Sequence, residues 1–321
     1  MCKEATMTDI AATDPLLSKE LITRVAHAYY LKDESKVDIA KQHGISRFQV
    51  ARLLQRAREL EIVKIEVRSL DGVNLGLSER LRAKLGLTAA WVVDSSDPAD
   101  VVDIIGATMA RILEETVHPG DVIGMSWSRA LVAMTRHLER LPKCVTVQLA
   151  GHAGNSADLP DSSELVRRIA RASGGAAYAI PSPLLVTDEG ALRSLLGQPM
   201  ISAATAMFDA IDVAAISIGA WRPDESAVYA AASERDRARA SELGVVGEMN
   251  GRLFDADGVP EDSVIGNRVV GIPLDQLARI PRLIAGSFGA ARAEATIAAT
   301  RAGYVNELIA DRRLAEAILS A

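Results

Sequence analysis

The first apolar pattern along the chain has the three-to-four-residue spacing of amphipathic helices. It predicts a first helix that contains Leu21, Ile22 and Val25, a second over residues 35–43 and a third that begins near Ser46. Gly44 suits the left-handed backbone that ends a helix, and Ser46 suits the N-cap of the next one. Two short helices joined by so tight a turn are typical of a helix-turn-helix.

Residues 62–68 alternate apolar and charged side chains, which predicts a half-exposed wing strand beside the helices. We therefore expect a flexible lead over residues 1–17 and a winged helix-turn-helix over residues 18–69. A connecting helix is expected over residues 70–86, and its leucine stripe is suited to pairing with a second subunit.

From residue 87 onward, short β-branched runs alternate with helical patterns. Strands are predicted at residues 89–94, 121–126, 144–149, 177–180, 213–218 and 282–286. Helices are predicted at residues 101–117 and 128–138. Nearly continuous apolar strands separated by helices indicate a mostly parallel sheet that is covered on both faces. The predicted fold class is thus α/β, with a small helical domain before a larger α/β domain over residues 87–321.

Charge is distributed unevenly around this division. Residues 1–68 contain 12 Lys or Arg against 10 Asp or Glu, whereas the remainder contains 24 against 32 and the whole chain carries a net charge of −6. Phosphate neutralisation by DNA-binding proteins requires such a local basic excess. The residues predicted to contact DNA are Lys41, Ser46, Arg47, Gln49, Arg52 and Arg56. The alternative is a structural helical domain whose charged face is merely solvated.

Several other classes of protein are disfavoured. Cys2 and Cys144 have no metal-ligand spacing, the histidines show no metal pairing, and no glycine-rich nucleotide fingerprint is present. We therefore predict no metal and no cofactor. Without a signal peptide or a long apolar stretch, the expectation is a cytoplasmic protein with no membrane contact.

Five glycine- and serine-rich loops follow the predicted strands, at residues 124–129, 151–155, 181–183, 219–222 and 286–289. In parallel sheets, ligands bind at such carboxyl ends. Gly124 and His152 belong to these loops, and Trp127 or Trp221 is suited to stacking on a sugar ring. Glu248 either accepts sugar hydroxyls or is a solvated loop acid.

The order of several motifs resembles the SorC family of sugar-binding transcriptional regulators, which includes the deoxyribonucleoside and central glycolytic gene regulators. The motifs are residues 39–54, 124–129, 147–151, 247–255, 268–272, 292–295 and 303–311. The resemblance implies a large domain like the sugar-phosphate isomerase and CoA-transferase fold, without enzymatic turnover. It also implies operator DNA, a sugar, polyol or sugar-phosphate effector, and a homotetramer or dimer of dimers as partners. Carried over by position, the effector site contains Ser126, Trp127, Ser128, Arg129, Gly151, Glu248, Asp255 and Arg292.

The sequence also departs from the family pattern. Ser128 replaces a glycine, Ala130 replaces a threonine, Ala150 stands where some members have a basic residue, and many members carry lysine at Arg292. These changes weaken the case for a phosphorylated effector, although Arg129 and Arg292 leave it open. Two rivals remain: a sugar-phosphate isomerase-like enzyme or lyase with an appended helical domain, and a constitutive DNA-binding protein whose large domain only oligomerises.

Overall fold

A computed structural model of the chain describes residues 19–65, 72–95, 97–153 and 162–321. The chain divides into two compact units, residues 1–66 and residues 67–321. The lead that is predicted over residues 1–17 lies outside the described residues.

The first unit contains three helices, α1 (Lys19–Leu31), α2 (Lys36–His43) and α3 (Arg47–Glu59). Gly44 has the left-handed φ of 63° that ends α2. Ser46 caps α3 in a reciprocal capping box with Gln49, as its position in the sequence predicts. Apolar side chains of all three helices, including Ile22, Ile39 and Leu53, form a separate core.

The predicted wing is not confirmed. Residues 62–65 form no strand, and residues 66–68 lie outside the described part of the chain. The strand over residues 62–68 therefore stays a prediction.

The second unit is an α/β domain. Its strands are β1 (Ala89–Val93), β2 (Val122–Met125), β3 (Val145–Gln148), β4 (Ala177–Tyr178), β5 (Val213–Ser217), β6 (Gly219–Ala220), β7 (Val245–Met249), β8 (Arg252–Asp255), β9 (Arg282–Ser287) and β10 (Glu307–Asp311). Its helices are α4 (Leu75–Leu85), α5 (Val101–Thr116), α6 (Arg129–His137), α7 (Ser162–Ser173), α8 (Glu189–Leu196), α9 (Pro199–Thr205), α10 (Ala227–Ala231), α11 (Glu234–Glu242), α12 (Leu274–Leu277), α13 (Ala293–Arg301) and α14 (Arg312–Ser320).

Seven strands form one parallel sheet in the order β1-β10-β9-β5-β2-β3-β4. Both faces are covered, because Ala214 and Ile216 of β5 join one apolar cluster while Val213 and Ala215 join another. From β2 the chain proceeds to β3 on one side, whereas from β5 it proceeds to β9 on the other. This reversal places a crevice between the carboxyl ends of β2 and β5.

Two features of this unit differ from the predictions. The leucine stripe of α4 does not face outward for a partner, because Leu77 and Leu81 are buried in the core of the same unit. The short antiparallel sheet β6-β7-β8 was not predicted, since its strands are only two to five residues long. Within the described ranges, no helix is both long enough and apolar enough to cross a bilayer.

Candidate functional site

The exposed side of α3 carries the guanidinium groups of Arg47 and Arg52, which have no acidic partner among the described residues. Arg47 and Arg52 are both exposed, and neither forms an ion pair with any residue that the structure describes. The Arg47 guanidinium lies 5.0 Å from the ring centroid of Phe48, which is itself 70% exposed. These cations are therefore accessible to a phosphate backbone or to base edges.

Three of the other four predicted DNA contacts, Ser46, Gln49 and Arg56, already have partners within α3 or its cap. Gln49 Oε1 accepts the Ser46 backbone N–H at 2.8 Å, and Ser46 Oγ accepts the Gln49 N–H at 3.2 Å. A glutamine needs both its carbonyl and its amide to read adenine bidentately, so this reading is closed to Gln49 while the cap is formed. Arg56 pairs with Glu59 at 2.9 Å, whereas Lys41 is exposed on α2.

In the second unit, a cavity of about 640 Å³ opens at the carboxyl ends of the parallel strands. The loops after β2 and β5 meet there, and Ser217 Oγ donates to Ser128 Oγ at 2.6 Å. Ser128 also caps α6 by accepting the Leu131 N–H at 3.2 Å. The volume falls within the range that is typical of small-molecule sites.

Seven of the ten predicted effector-site residues line this cavity: Ser126, Trp127, Ser128, Arg129, Gly151, Glu248 and Arg292. The other three do not. Gly124 lies inside β2, where a Cβ would lie 3.0 Å from the Leu149 side chain and 3.2 Å from that of Ile211. His152 packs edge-on against Trp127, with ring centroids 5.4 Å apart. Asp255 accepts the backbone N–H groups of Asp257 and Val259 in a turn.

Four of the five predicted loops supply lining residues within their predicted bounds, and the loop at 181–183 does so only through the adjacent Leu184. Gly151 lets two of these loops approach, since a Cβ there would lie 2.5 Å from the Pro183 carbonyl oxygen. Residues 154 and 155 lie outside the described residues. Trp221 is buried against Tyr229 and does not line the cavity, so the suggestion that it stacks on a sugar is wrong.

Glu248 is a buried acid of the cavity wall rather than a solvated loop acid. Its carboxylate accepts the Ser226 hydroxyl at 2.9 Å and the Gly251 N–H at 3.2 Å. Desolvation raises its pKa above the ordinary value of 4.5, although these two donors and the charge of Arg292 oppose the shift. Gly219 makes room for it, because a Cβ at this position would lie 2.3 Å from Glu248 Oε1.

Arg292 lines the cavity and is buried, with 7% of its surface exposed. Its Nη1 lies 2.7 Å from the Glu225 carboxylate, and Nη2 donates to the Glu225 carbonyl at 3.0 Å. Burial lowers the pKa of the guanidinium, and the charge of Glu225 opposes this. Arg129 and Arg292 lie 5.1 Å and 4.7 Å from the ring centroid of Phe288.

Sequence reasoning missed several polar lining residues, namely Ser217, Asp224, Glu225, Ser226 and Asn250. Ser287 lies within the predicted loop at 286–289 and lines the cavity, although it was not singled out as a site residue. Asn250 and Glu225 depend on the short sheet and on the segment before α10, for which the sequence pattern gives no comparable signal. Within the described ranges, no group of three or more His, Cys, Asp or Glu side chains is placed to hold a metal.

Comparison with protein families matches residues 73–320 to the family described as "Putative sugar-binding domain". The matched segment contains the whole cavity wall.

Two curated relatives align with nearly the whole chain. The sorbitol operon regulator of Klebsiella pneumoniae is 26% identical over 310 residues, which cover 93% of this chain and 97% of that protein. The deoxyribonucleoside regulator of Bacillus subtilis (strain 168) is 29% identical over 310 residues, which cover 94% and 98%.

Solved structures show the same fold. The crystal structure of the full-length sorbitol operon regulator from K. pneumoniae matches with a TM-score of 0.72 at 24% identity, covering 94% of this chain and 99% of that one. A transcriptional regulator from Streptococcus pneumoniae matches with a TM-score of 0.71 at 19% identity, covering 76% and 96%.

Proposed function

The chain belongs to the SorC family of sugar-binding transcriptional regulators, and on this premise we propose that it binds operator DNA under the control of a sugar, polyol or sugar-phosphate effector. It regulates a carbohydrate or polyol catabolic operon. The observation that carries this proposal is the presence, in one chain, of a capped helix that exposes Arg47 and Arg52 and of a cavity of about 640 Å³ whose lining includes hydroxyl, amide and charged side chains.

The helix α3 is the recognition helix of this proposal. Arg47 and Arg52 read base edges in the major groove, since bidentate arginine contacts to guanine are the commonest specific contacts there. Ser46, Lys41 and Arg56 contact phosphates, and the segment 62–68 forms the wing. Gln49 fixes the start of the helix and offers DNA only its amide group.

The effector binds in the cavity between the ends of β2 and β5, against Ser126 to Arg129, Gly151, Glu248 and Arg292. The active protein is a homotetramer or dimer of dimers in the cytoplasm. A symmetric assembly of this kind requires paired half-sites about 10 base pairs apart or a multiple of this distance. The relatives are regulators, namely a sorbitol operon regulator, the transcriptional regulator LsrR and a deoxyribonucleoside regulator, and this similarity favours a regulatory function over the isomerase-like enzyme.

The DNA half of this proposal is tested by selecting bound sequences from a random duplex pool with the purified full-length protein. We expect enrichment of an inverted repeat and tight binding of that repeat at fixed salt concentration. Equal affinity for the selected repeat and a scrambled duplex would exclude an operator-binding function.

The effector half is tested by titrating the selected duplex with and without sugars, polyols and their phosphate esters. A compound that binds the folded domain raises its Tm and changes operator affinity in the same concentration range. Turnover of any of these compounds, followed by chromatography, would instead support the enzyme.

A further inference from the structure

The charged side chains of the cavity wall do not suit a phosphate ester. Three carboxyl groups line the cavity, those of Asp224, Glu225 and Glu248, against two guanidinium groups, those of Arg129 and Arg292. A terminal phosphate adds a charge of about −1.5 to −2 at neutral pH. Burying such an anion is costly unless cations are free to pair with it.

The buried cation is already engaged. Arg292 is paired with the Glu225 carboxylate at 2.7 Å, with side-chain exposures of 8% and 28%, and it also donates to the Phe288 and Glu225 carbonyls. A phosphate could form an ion pair with the Arg292 guanidinium only by displacing the Glu225 carboxylate. That exchange would leave a half-buried carboxylate without its partner, which is strongly unfavourable.

The remaining cation, Arg129, is exposed beside the cavity. Its guanidinium packs over the ring of Phe288. One exposed guanidinium does not balance the three carboxyl groups together with a phosphate.

The neutral polar groups of the cavity have unused hydrogen-bonding capacity. The side-chain N and O atoms of Asn250 and the hydroxyl of Ser287 are buried, and none has a hydrogen-bond partner among the described residues. Both residues line the cavity, with exposures of 7% and 1%. Buried polar atoms in folded proteins are nearly always satisfied by protein or by water, and groups on a cavity wall can be satisfied by a ligand in the same way.

The backbone conformation of Asn250 explains why asparagine stands at this position, but it does not explain why the side-chain amide lacks hydrogen-bond partners among the described residues. Its φ of 53° lies in the left-handed region that asparagine tolerates in tight turns, which explains the residue type at the β7–β8 turn. It does not explain why both ends of the amide are buried without partners. A hydroxyl group can donate and accept, and it therefore matches an amide, another hydroxyl and the carboxyl of Glu248 together.

We propose that the effector of this cavity, within the regulatory function proposed above, is an unphosphorylated sugar or polyol whose hydroxyl groups bind Asn250 and Ser287. The ion pair of Glu225 with Arg292 excludes a phosphate from the buried part of the cavity.

Matched pairs of ligands test whether the cavity prefers a free sugar or polyol to its phosphate ester. The probes are ribose, deoxyribose, glucose, fructose and sorbitol, each beside its terminal phosphate ester, with inorganic phosphate as an anion control. We expect at least one free sugar or polyol to raise the Tm of the full-length protein and to bind more tightly by calorimetry than its ester. Tighter binding of an ester would overturn the proposal while leaving the effector-regulated function intact. If none of the compounds binds, both this proposal and the sugar-sensing half of the proposed function are wrong.

Two variants test the contacts with the preferred probe. Ser287→Ala removes a hydroxyl that has no hydrogen-bond partner among the described residues, so stability is retained while affinity falls by about fivefold to tenfold. Asn250→Gly keeps the left-handed backbone and loses the amide, with a loss of affinity at least as large. The matched control is Thr296→Val, on α13 and away from the cavity lining, which removes another buried hydroxyl for which the described part of the chain offers no partner. Unchanged affinity in both cavity variants would overturn the assignment of these contacts.

A third variant tests the exclusion of phosphate. Glu225→Gln removes the charge that neutralises Arg292 and keeps a hydrogen-bonding side chain. We expect the ratio of ester affinity to free-sugar affinity to rise at least tenfold. Glu294→Gln, an exposed acid that pairs with Arg222 outside the cavity lining, should leave this ratio unchanged. An equal ratio in wild type and Glu225→Gln would show that the ion pair does not select against phosphate.

Discussion

The two units of the chain use their charged side chains in opposite ways. In the helical unit, Arg47 and Arg52 project into solvent from a single helix of 13 residues. In the α/β unit, Arg292 and Glu248 are buried, and they are held by groups from distant segments such as Glu225 and Ser226. The first arrangement is local in sequence, whereas the second exists only in the folded domain.

Exposed and buried cations therefore contribute differently to folding stability and to binding. An exposed cation adds little to folding stability, but it is free to interact with a polyanion and the interaction weakens with salt. A buried cation must be paired to be tolerated, so it contributes to the fold and at the same time shapes what the cavity accepts. Substitutions in the two units should therefore separate binding from stability.

The largest effect is expected for Arg292→Ala. This change leaves the Glu225 carboxylate and two backbone carbonyls without their donor, and breaking a buried pair costs roughly 3–5 kcal/mol. All three tryptophans of the chain, Trp91, Trp127 and Trp221, lie in the α/β unit. Urea unfolding followed by tryptophan fluorescence therefore reports this unit, and it should show the loss as a lower midpoint.

The control for Arg292→Ala is Arg129→Ala, since Arg129 is exposed and forms no ion pair among the described residues. Exposed substitutions of this kind usually change stability by about 0.5 kcal/mol or less. Equal unfolding midpoints for the two variants would contradict the distinction between paired and free cations.

The next largest effect is expected in the helical unit, for Arg52→Ala. Loss of a base-reading arginine should weaken operator binding by roughly 1–3 kcal/mol and should relax specificity at one position of each half-site. Stability should not change, because the guanidinium has no partner in the described part of the protein. Fluorescence anisotropy with the selected duplex at fixed salt measures the first quantity, and thermal unfolding measures the second. Arg52 is not on the recognition surface if operator affinity is unaffected.

The same contrast explains which parts of the structure could be predicted. The cap residues Gly44 and Ser46, the three helices of the first unit and most parallel strands follow from local signals of spacing and capping. The loops at the carboxyl ends of strands pointed to the right edge of the sheet, and seven of the ten candidate residues line the cavity there.

The rest depends on contacts between distant segments. Asn250 and Glu225 reach the cavity only because the brief strands β6, β7 and β8 pair beside the main sheet. The inward orientation of the α4 leucines was missed because an apolar stripe has the same sequence pattern whether it faces its own core or a second subunit. Gln49 was assigned to DNA because its residue type suits adenine, whereas its position three residues after Ser46 equally suits a capping box.

A smaller effect is expected for Ser46→Ala, which removes one half of the capping box of α3. Loss of such a cap costs roughly 1 kcal/mol of helix stability. Hydrogen exchange at the first amides of α3 should become about fivefold faster, since exchange follows the local opening free energy. Gln55→Ala, at an exposed position in the middle of the same helix, is the control and should leave these amides protected. Equal protection in the Ser46 variant would mean that the cap does not hold the start of the helix.

The smallest effect, and one whose sign depends on pH, is expected for Glu248→Gln. The raised pKa of the folded state means that the unfolded chain, with a pKa near the ordinary 4.5, loses this proton first as pH rises. Folding stability is therefore unaffected by this group at pH values below 4.5, and it decreases as pH rises to the folded pKa. Glutamine cannot ionise, so the Tm of the variant minus that of wild type should grow with pH and then level off. For a domain of this size, 1 kcal/mol corresponds to roughly 2–4 °C.

The direction in which this Tm difference changes with pH shows whether ionised Glu248 destabilises or stabilises the fold. If the partners of Glu248, the Ser226 hydroxyl, the Gly251 amide and the charge of Arg292, outweighed desolvation, ionisation would stabilise the fold and the Tm difference would fall with rising pH. Calorimetric Tm values from pH 4 to pH 9, with exposed Glu294→Gln as the control, distinguish the two cases. A growing difference means that the cavity penalises negative charge even on its own side chain. Such a penalty would favour a neutral effector over a phosphate ester in the cavity of the α/β unit, whereas the exposed arginines of α3 favour an anionic partner.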